Sequence, residues 1–180
     1  PTTYEYEGNT RNLYGLLGST DTSALLVLRR GEIQFEEYWL TGAADVQWIS
    51  FSVAKSFVSA LLGIAQHEGL IKSLDDTMEQ YVPLFKDTAF DGVRIKDVLQ
   101  MSSGARWNED YSDPESEILS LSVANSGGSF DAFMKTMVSE RPAGTLCRYN
   151  SGETQALGML VAAATKRSLA DYMEEKLFQP

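Results

Sequence analysis

The sequence predicts a mixed α/β fold: an antiparallel hairpin near the N-terminus followed by packed helices. Three observations predict it. Residues 23–29 and 32–39 are strand-like runs either side of Arg30-Gly31, and the second alternates Ile33 and Phe35 with Gln34 and Glu36. That period of two marks a strand with one wet face, and the intervening pair marks a hairpin. Residues 53–68 carry two neighbouring apolar stripes at helical spacing, Val53, Phe57, Leu61, Ile64 and Ala54, Val58, Leu62, Ala65, which predicts a central, buried helix. The 180 residues are 43% hydrophobic and 22% charged, enough for roughly one domain with a true core.

The remaining elements follow in order. Residues 1–22 are polar and contain glycine, and read as an irregular arm. The helix over 53–68 ends at Gln66-His67-Glu68-Gly69, with Gly69 as its stop. Its third stripe, Ser52, Lys55, Ser56, Ser59 and Gly63, is small and polar. Short elements are expected at 73–82, with Ser73 as N-cap, and at 94–101. Residues 102–128 read as a long polar loop with one helical turn near 115–123, a length often tied to function. Helices are expected over 130–138, capped by Ser129, over 152–164, and over 168–177, where Ser168 and Asp171 form a capping-box-like pattern.

Composition excludes several function classes. Fifteen basic against 25 acidic residues give a net charge of −10, which repels phosphate and anionic lipid, so neither a nucleic-acid nor a membrane partner is expected. Cys147 and His67 are each the single residue of their type, so no intrachain disulfide, zinc site, other metal or cofactor is expected. The apolar runs 24–28 and 156–164 are too short to span a bilayer. The first residue is Pro rather than Met, so the chain is expected to be processed, trimmed or partial.

Three segments carry residues suited to chemistry. In Ser52-Val53-Ala54-Lys55 the i, i+3 spacing puts both side chains on one helix face. A serine hydroxyl needs a neighbouring base, and a desolvated lysine is one. The same residues also fit an N-cap serine followed by a lysine reaching to water. In Tyr149-Asn150-Ser151-Gly152 a phenol precedes an apolar helix; it suits proton transfer, and equally a buried aromatic beside a helix cap. In Arg106-Trp107-Asn108-Glu109-Asp110-Tyr111, aromatics in a polar loop suit a substrate wall, or simply a solvated loop. The acids there lack the calcium-loop spacing.

Taken together, these segments resemble the serine hydrolases of the class C β-lactamase and penicillin-binding protein superfamily, most of all its esterase and 6-aminohexanoate-dimer hydrolase branch. The resemblance runs over residues 23–180 and rests on Trp48-Ile49-Ser50-Phe51-Ser52-Val53-Ala54-Lys55-Ser56-Phe57, Ile95-Lys96-Asp97-Val98-Leu99-Gln100-Met101-Ser102-Ser103-Gly104, Trp107 through Ser116, Tyr149-Asn150-Ser151-Gly152 and Ser168-Leu169-Ala170-Asp171-Tyr172.

The resemblance implies a β-lactamase-like fold, α/β plus all-α. Residues 1–69 would hold the arm, hairpin and nucleophile helix of the α/β domain. Residues 70–164 would be the helical domain, and 165–180 a terminal helix returning to the first. It implies Ser52 as acylated nucleophile, Lys55 and Tyr149 as proton carriers, the Ser52 N–H as half of an oxyanion hole, and Ser151 bonding within the site. Trp107 and Tyr111 are the further candidate substrate contacts. It also implies a later strand bearing a Lys-Thr-Gly-like triad, which this sequence does not contain. The chain is therefore expected to lack C-terminal strands, and to be a fragment or to be completed by a complementary chain or a second copy. The implied activity is cleavage of a small carboxylic ester or linear amide. The alternatives are β-lactam or peptidoglycan D-alanyl peptidase chemistry, and an inactive, partner-binding piece.

Overall fold

The computed structural model describes residues 3–179, and the chain divides into two compact units, Pro1–Ile49 and Ser50–Pro180. In the first, β1 (Thr3–Tyr6) pairs antiparallel with β2 (Asn9–Asn12), and α1 (Leu13–Ser19) follows directly, its Gly15 N–H bonded to Asn12 Oδ1 at 2.8 Å. The expected irregular arm is thus corrected over residues 3–19; residues 1 and 2 lie outside those described. These strands are almost wholly solvent-exposed, so no apolar alternation announces them. Their turn is Glu7-Gly8, both at positive φ, rather than the Asn-Gly or Asp-Gly pair that signals a hairpin.

The second hairpin lies where expected. Strand β3 (Ala24–Arg29) pairs with β4 (Glu32–Tyr38) through Arg30-Gly31, at φ +54° and +82°, with a bulge between Val27 and Leu28. Positive φ at both turn residues matches the right-handed twist of the strands. The single wet face is not observed. In β4 Ile33 is 58% exposed, as open as its polar neighbours, and in β3 Leu26 and Val27, on opposite faces, are 52% and 44% exposed. Among the described residues the pair carries no third strand.

The buried core lies wholly in the second unit. A single 3₁₀ turn (Phe51–Val53) leads into α2 (Ala54–His67), which closes on Gly69 at φ +76° with Leu70 N–H bonded to Ala65 O. Only Val58, Leu61, Leu62 and Ala65 of α2 are buried. The stripe through Val53 is open at its N-terminal end, with Val53 61% exposed, so α2 is buried on one face rather than all round.

Short helices α3 (Met78–Tyr81) and α4 (Ile95–Leu99) add Met78, Ile95 and Val98 to the core. The expected helix start at Ser73 is not observed. Ser73 Oγ accepts from Asp75 N–H, only two residues on, and Thr77 bridges to Arg94; such local side-chain bonds compete with a helix. Helices α5 (Glu117–Asn125), α6 (Phe130–Thr136), α7 (Ser151–Thr165) and α8 (Leu169–Met173) complete the unit. Ser129, Asn150 and Ser168 cap α6, α7 and α8 through their side chains. Helix α7 packs on α2, and α8 and the turn after it return to the C-terminal end of α2 through Tyr172 OH and Lys176 Nζ, both bonded to Glu68.

The packing that positions the site is a backbone zipper. Arg106 N–H bonds Val138 O, Glu140 N–H bonds Gly104 O, Gly144 N–H bonds Ser102 O and Arg148 N–H bonds Met101 O. These bonds lay residues 101–106 along 138–148, and so bring the Trp107–Tyr111 loop beside Tyr149.

Candidate active site

Ser52 lies in the turn that starts α2, and Lys55 one turn further along. Ser52 does not cap the helix: no side chain bonds the first N–H groups of α2. Its Oγ accepts instead from Lys55 Nζ at 3.1 Å and from Tyr149 OH at 2.7 Å. The residue before it, Phe51, has φ +43° and is 80% exposed. A bulky side chain there costs about 1–3 kcal/mol, strain that concentrates at functional sites.

Tyr149 stands two residues before α7 on the zipped segment. Lys55 Nζ lies 5.0 Å from its ring centroid, within cation–π range. Burial pushes the phenol up, but hydrogen bonds to Lys55 and Ser52 and the Lys55 charge outweigh it, leaving its pKa below the usual phenol value; Glu109 acts against that lowering. Lys55 is partly buried.

The other candidates meet at one carboxylate. Ser151 Oγ donates to Glu109 at 2.6 Å, Tyr111 OH donates to it at 3.3 Å, and Trp107 Nε1–H donates to it too. Trp107 is buried, edge-on to Phe133 with ring centroids 6.4 Å apart, so it backs the loop from beneath. Tyr111 is 66% exposed. Ser151 and Lys55 share a groove of about 480 Å³ with Phe51, Val58, Met159 and Leu169. Sequence reasoning did not single out Glu109; the available signal was an acid set between two aromatics with donor groups.

A second acid was also missed. Glu153, one turn into α7, is buried and accepts from Ser103 Oγ at 2.6 Å and Ser103 N–H at 3.3 Å, while its Oε2 has no partner. Burial pushes its carboxyl up to about 7, against those two bonds. Among the described residues no cluster of His, Cys, Asp and Glu suits a metal ion, and no helix is long and apolar enough to cross a membrane.

The arrangement sets a hydroxyl between an ammonium and a phenol, all at the N-terminal ends of two packed helices, where unpaired N–H groups favour negative charge. The chain as a whole is similar to known proteins. The chain is 37% identical to a 6-aminohexanoate-dimer hydrolase from Paenarthrobacter ureafaciens over 102 residues, 57% of this chain and 26% of that protein. A structure provisionally described as a 6-aminohexanoate-dimer hydrolase from Bacillus anthracis superposes with TM-score 0.81 at 23% identity, covering 94% of this chain and 47% of that one. A class C β-lactamase does so with TM-score 0.66 at 23% identity, covering 93% and 46%. The chain thus spans about half the length of these structures and about a quarter of the curated relative. At such identity the structures show the fold, which is β-lactamase-like. The Beta-lactamase family model matches residues 17–180, so the fold and the sequence agree that the chain belongs to the Beta-lactamase family.

Proposed function

We propose that this chain carries the nucleophile side of a serine hydrolase that cleaves a carboxylic ester or linear amide through an acyl-enzyme on Ser52. The observation that carries this reading is the pair of contacts on Ser52 Oγ, 3.1 Å from Lys55 Nζ and 2.7 Å from Tyr149 OH. The hydrolase name of the Paenarthrobacter relative supports the amide arm.

In this reading Tyr149, in the ionised form that Lys55 favours, takes the Ser52 proton as Oγ attacks the carbonyl carbon. The carbonyl electron pair moves onto oxygen, which the N–H groups at the start of α2 stabilise. The intermediate collapses as Tyr149 returns the proton to the leaving alkoxide or amine. Water then loses a proton to Tyr149 and attacks the acyl carbon, and Ser52 leaves with that proton restored. Each proton that Tyr149 takes is returned, so the net proton count on the site is unchanged.

A fluorophosphonate probe read by intact mass tests this. One adduct on the folded chain, absent in Ser52→Ala, is expected. No adduct, or one that survives Ser52→Ala, overturns the reading.

A further inference from the structure

Glu109 has every acceptor direction occupied. Its Oε1 accepts from Ser151 Oγ and Tyr111 OH, and its Oε2 from Ser151 N–H at 3.2 Å and Trp107 Nε1–H. An ionised carboxylate offers about four acceptor sites and no donor, so these three residues saturate it. Ser151 is the first residue of the 15-residue α7. The carboxylate therefore also satisfies an N–H the helix cannot pair, at the end where negative charge is favoured. Ser151 faces the groove shared with Lys55, and Tyr149 is two residues away.

We propose that Glu109 is a positioning residue of this site: it fixes Ser151, Tyr111 and Trp107 as one wall beside Tyr149 and supplies the negative charge that balances Lys55 there. The proposal rests on the reading of Tyr149 as proton carrier to Ser52. The groups facing the Tyr149 phenol are Ser52 and Lys55 from the start of α2, and Glu109 and Tyr111 from the 107–111 loop. Lys55 draws the phenol down and Glu109 pushes it up. Tyr111 is itself held above the usual phenol range, by burial first and then by Glu109. A carboxylate that held the loop without its charge reaching the phenol would leave the phenol's titration untouched.

The test titrates the Tyr149 phenol directly, by NMR of protein carrying 13Cζ-tyrosine, with Tyr149→Phe identifying its resonance. In Glu109→Gln the phenol is expected to titrate at lower pH than in the parent chain, and in Glu109→Asp, which keeps the charge, near the parent value. An unchanged titration in Glu109→Gln, or an equal fall in both variants, overturns the proposal. The rate of fluorophosphonate labelling gives a second readout. The acid limb of its pH profile is expected to move to lower pH in Glu109→Gln, with the maximal rate down about tenfold, the scale of one charge-assisted hydrogen bond. If Glu109→Gln does not fold, Glu109→Asp decides: its carboxylate is withdrawn by one methylene, so labelling slows, and a parent-like rate overturns the positioning role. A parent chain that takes no label fails the Ser52 reading alone, because the phenol titration still reports on Glu109.

Discussion

Tyr149 OH lies 2.7 Å from Ser52 Oγ although 97 residues separate them in the chain. Two helix starts and one zipper make the contact. The turn before α2 presents Ser52, the 138–148 segment delivers Tyr149 to the start of α7, and α7 packs on α2. Tyr149 sits outside α7 and is 47% exposed, so its side chain is placed by the site more than by the core.

Lys55→Ala and Tyr149→Phe should therefore leave the fold intact and each slow fluorophosphonate labelling by about 10²–10⁴, the usual scale of a lost acid–base group. The comparison is the pseudo-first-order labelling rate at fixed probe concentration, with near-ultraviolet circular dichroism reporting the fold. A near-parent rate in Tyr149→Phe removes the phenol from the proton path, and one in Lys55→Ala removes the lysine from the activation of that phenol.

The direction of the Tyr149 shift gives a pH test of Lys55. The phenol is the species that takes the Ser52 proton when ionised, so labelling falls as pH drops through its lowered pKa. Lys55→Met removes the ammonium that lowers it, and the acid limb of the profile should move to higher pH. A limb that stays in place means the phenol titrates independently of Lys55.

Glu153 makes stability depend on pH. Its carboxyl is raised from 4.5 to about 7 by burial, so the native state keeps a proton that the unfolded chain has already released. Where the native state binds more protons, stability falls as pH rises. The loss should run from about pH 4.5 to about 7 and level off above, amounting to about 3 kcal/mol. Glu153→Gln keeps the acceptor for Ser103 without the charge. It should flatten that slope in urea unfolding and be more stable than the parent at pH 8. An unchanged slope would place the dependence elsewhere.

What the sequence made legible was local. Ser52 and Lys55 announce each other at i, i+3, and the caps at Ser129 and Ser168 follow from side-chain chemistry within one turn. Tyr149 carried no such signal; only the ordered set of motifs linked it to Ser52. Glu109 was illegible because its partner Ser151 is 42 residues away, and an acid in a polar loop looks solvated until its donors are placed. The first hairpin was missed for want of a buried face, and the helix at Ser73 was over-read because a serine that caps can also close a turn.

The zipper that assembles the site depends on one glycine. Gly104 has φ +81°, and a Cβ there would lie 2.1 Å from Arg141 O. Its own carbonyl receives the N–H groups of Glu140 and Arg141 at 2.9 and 3.2 Å. A side chain must therefore part the two segments that bring residues 107–111 to Tyr149. Gly104→Ala should cost about 2–4 kcal/mol, combining left-handed strain with a backbone clash. That lowers the melting temperature by about 5–15 °C. It should also slow labelling of Ser52 at temperatures where the protein is still folded. Gly63, inside α2 and exposed, is the contrasting case: nothing lies within 4 Å of a Cβ there and its φ is not positive. Gly63→Ala should raise stability by about 1 kcal/mol through helix propensity alone and leave labelling unchanged. Thermal melts and labelling rates of the two variants side by side separate the roles, and a Gly104→Ala protein with parent-like melting and labelling would show that the zipper yields without disturbing the site.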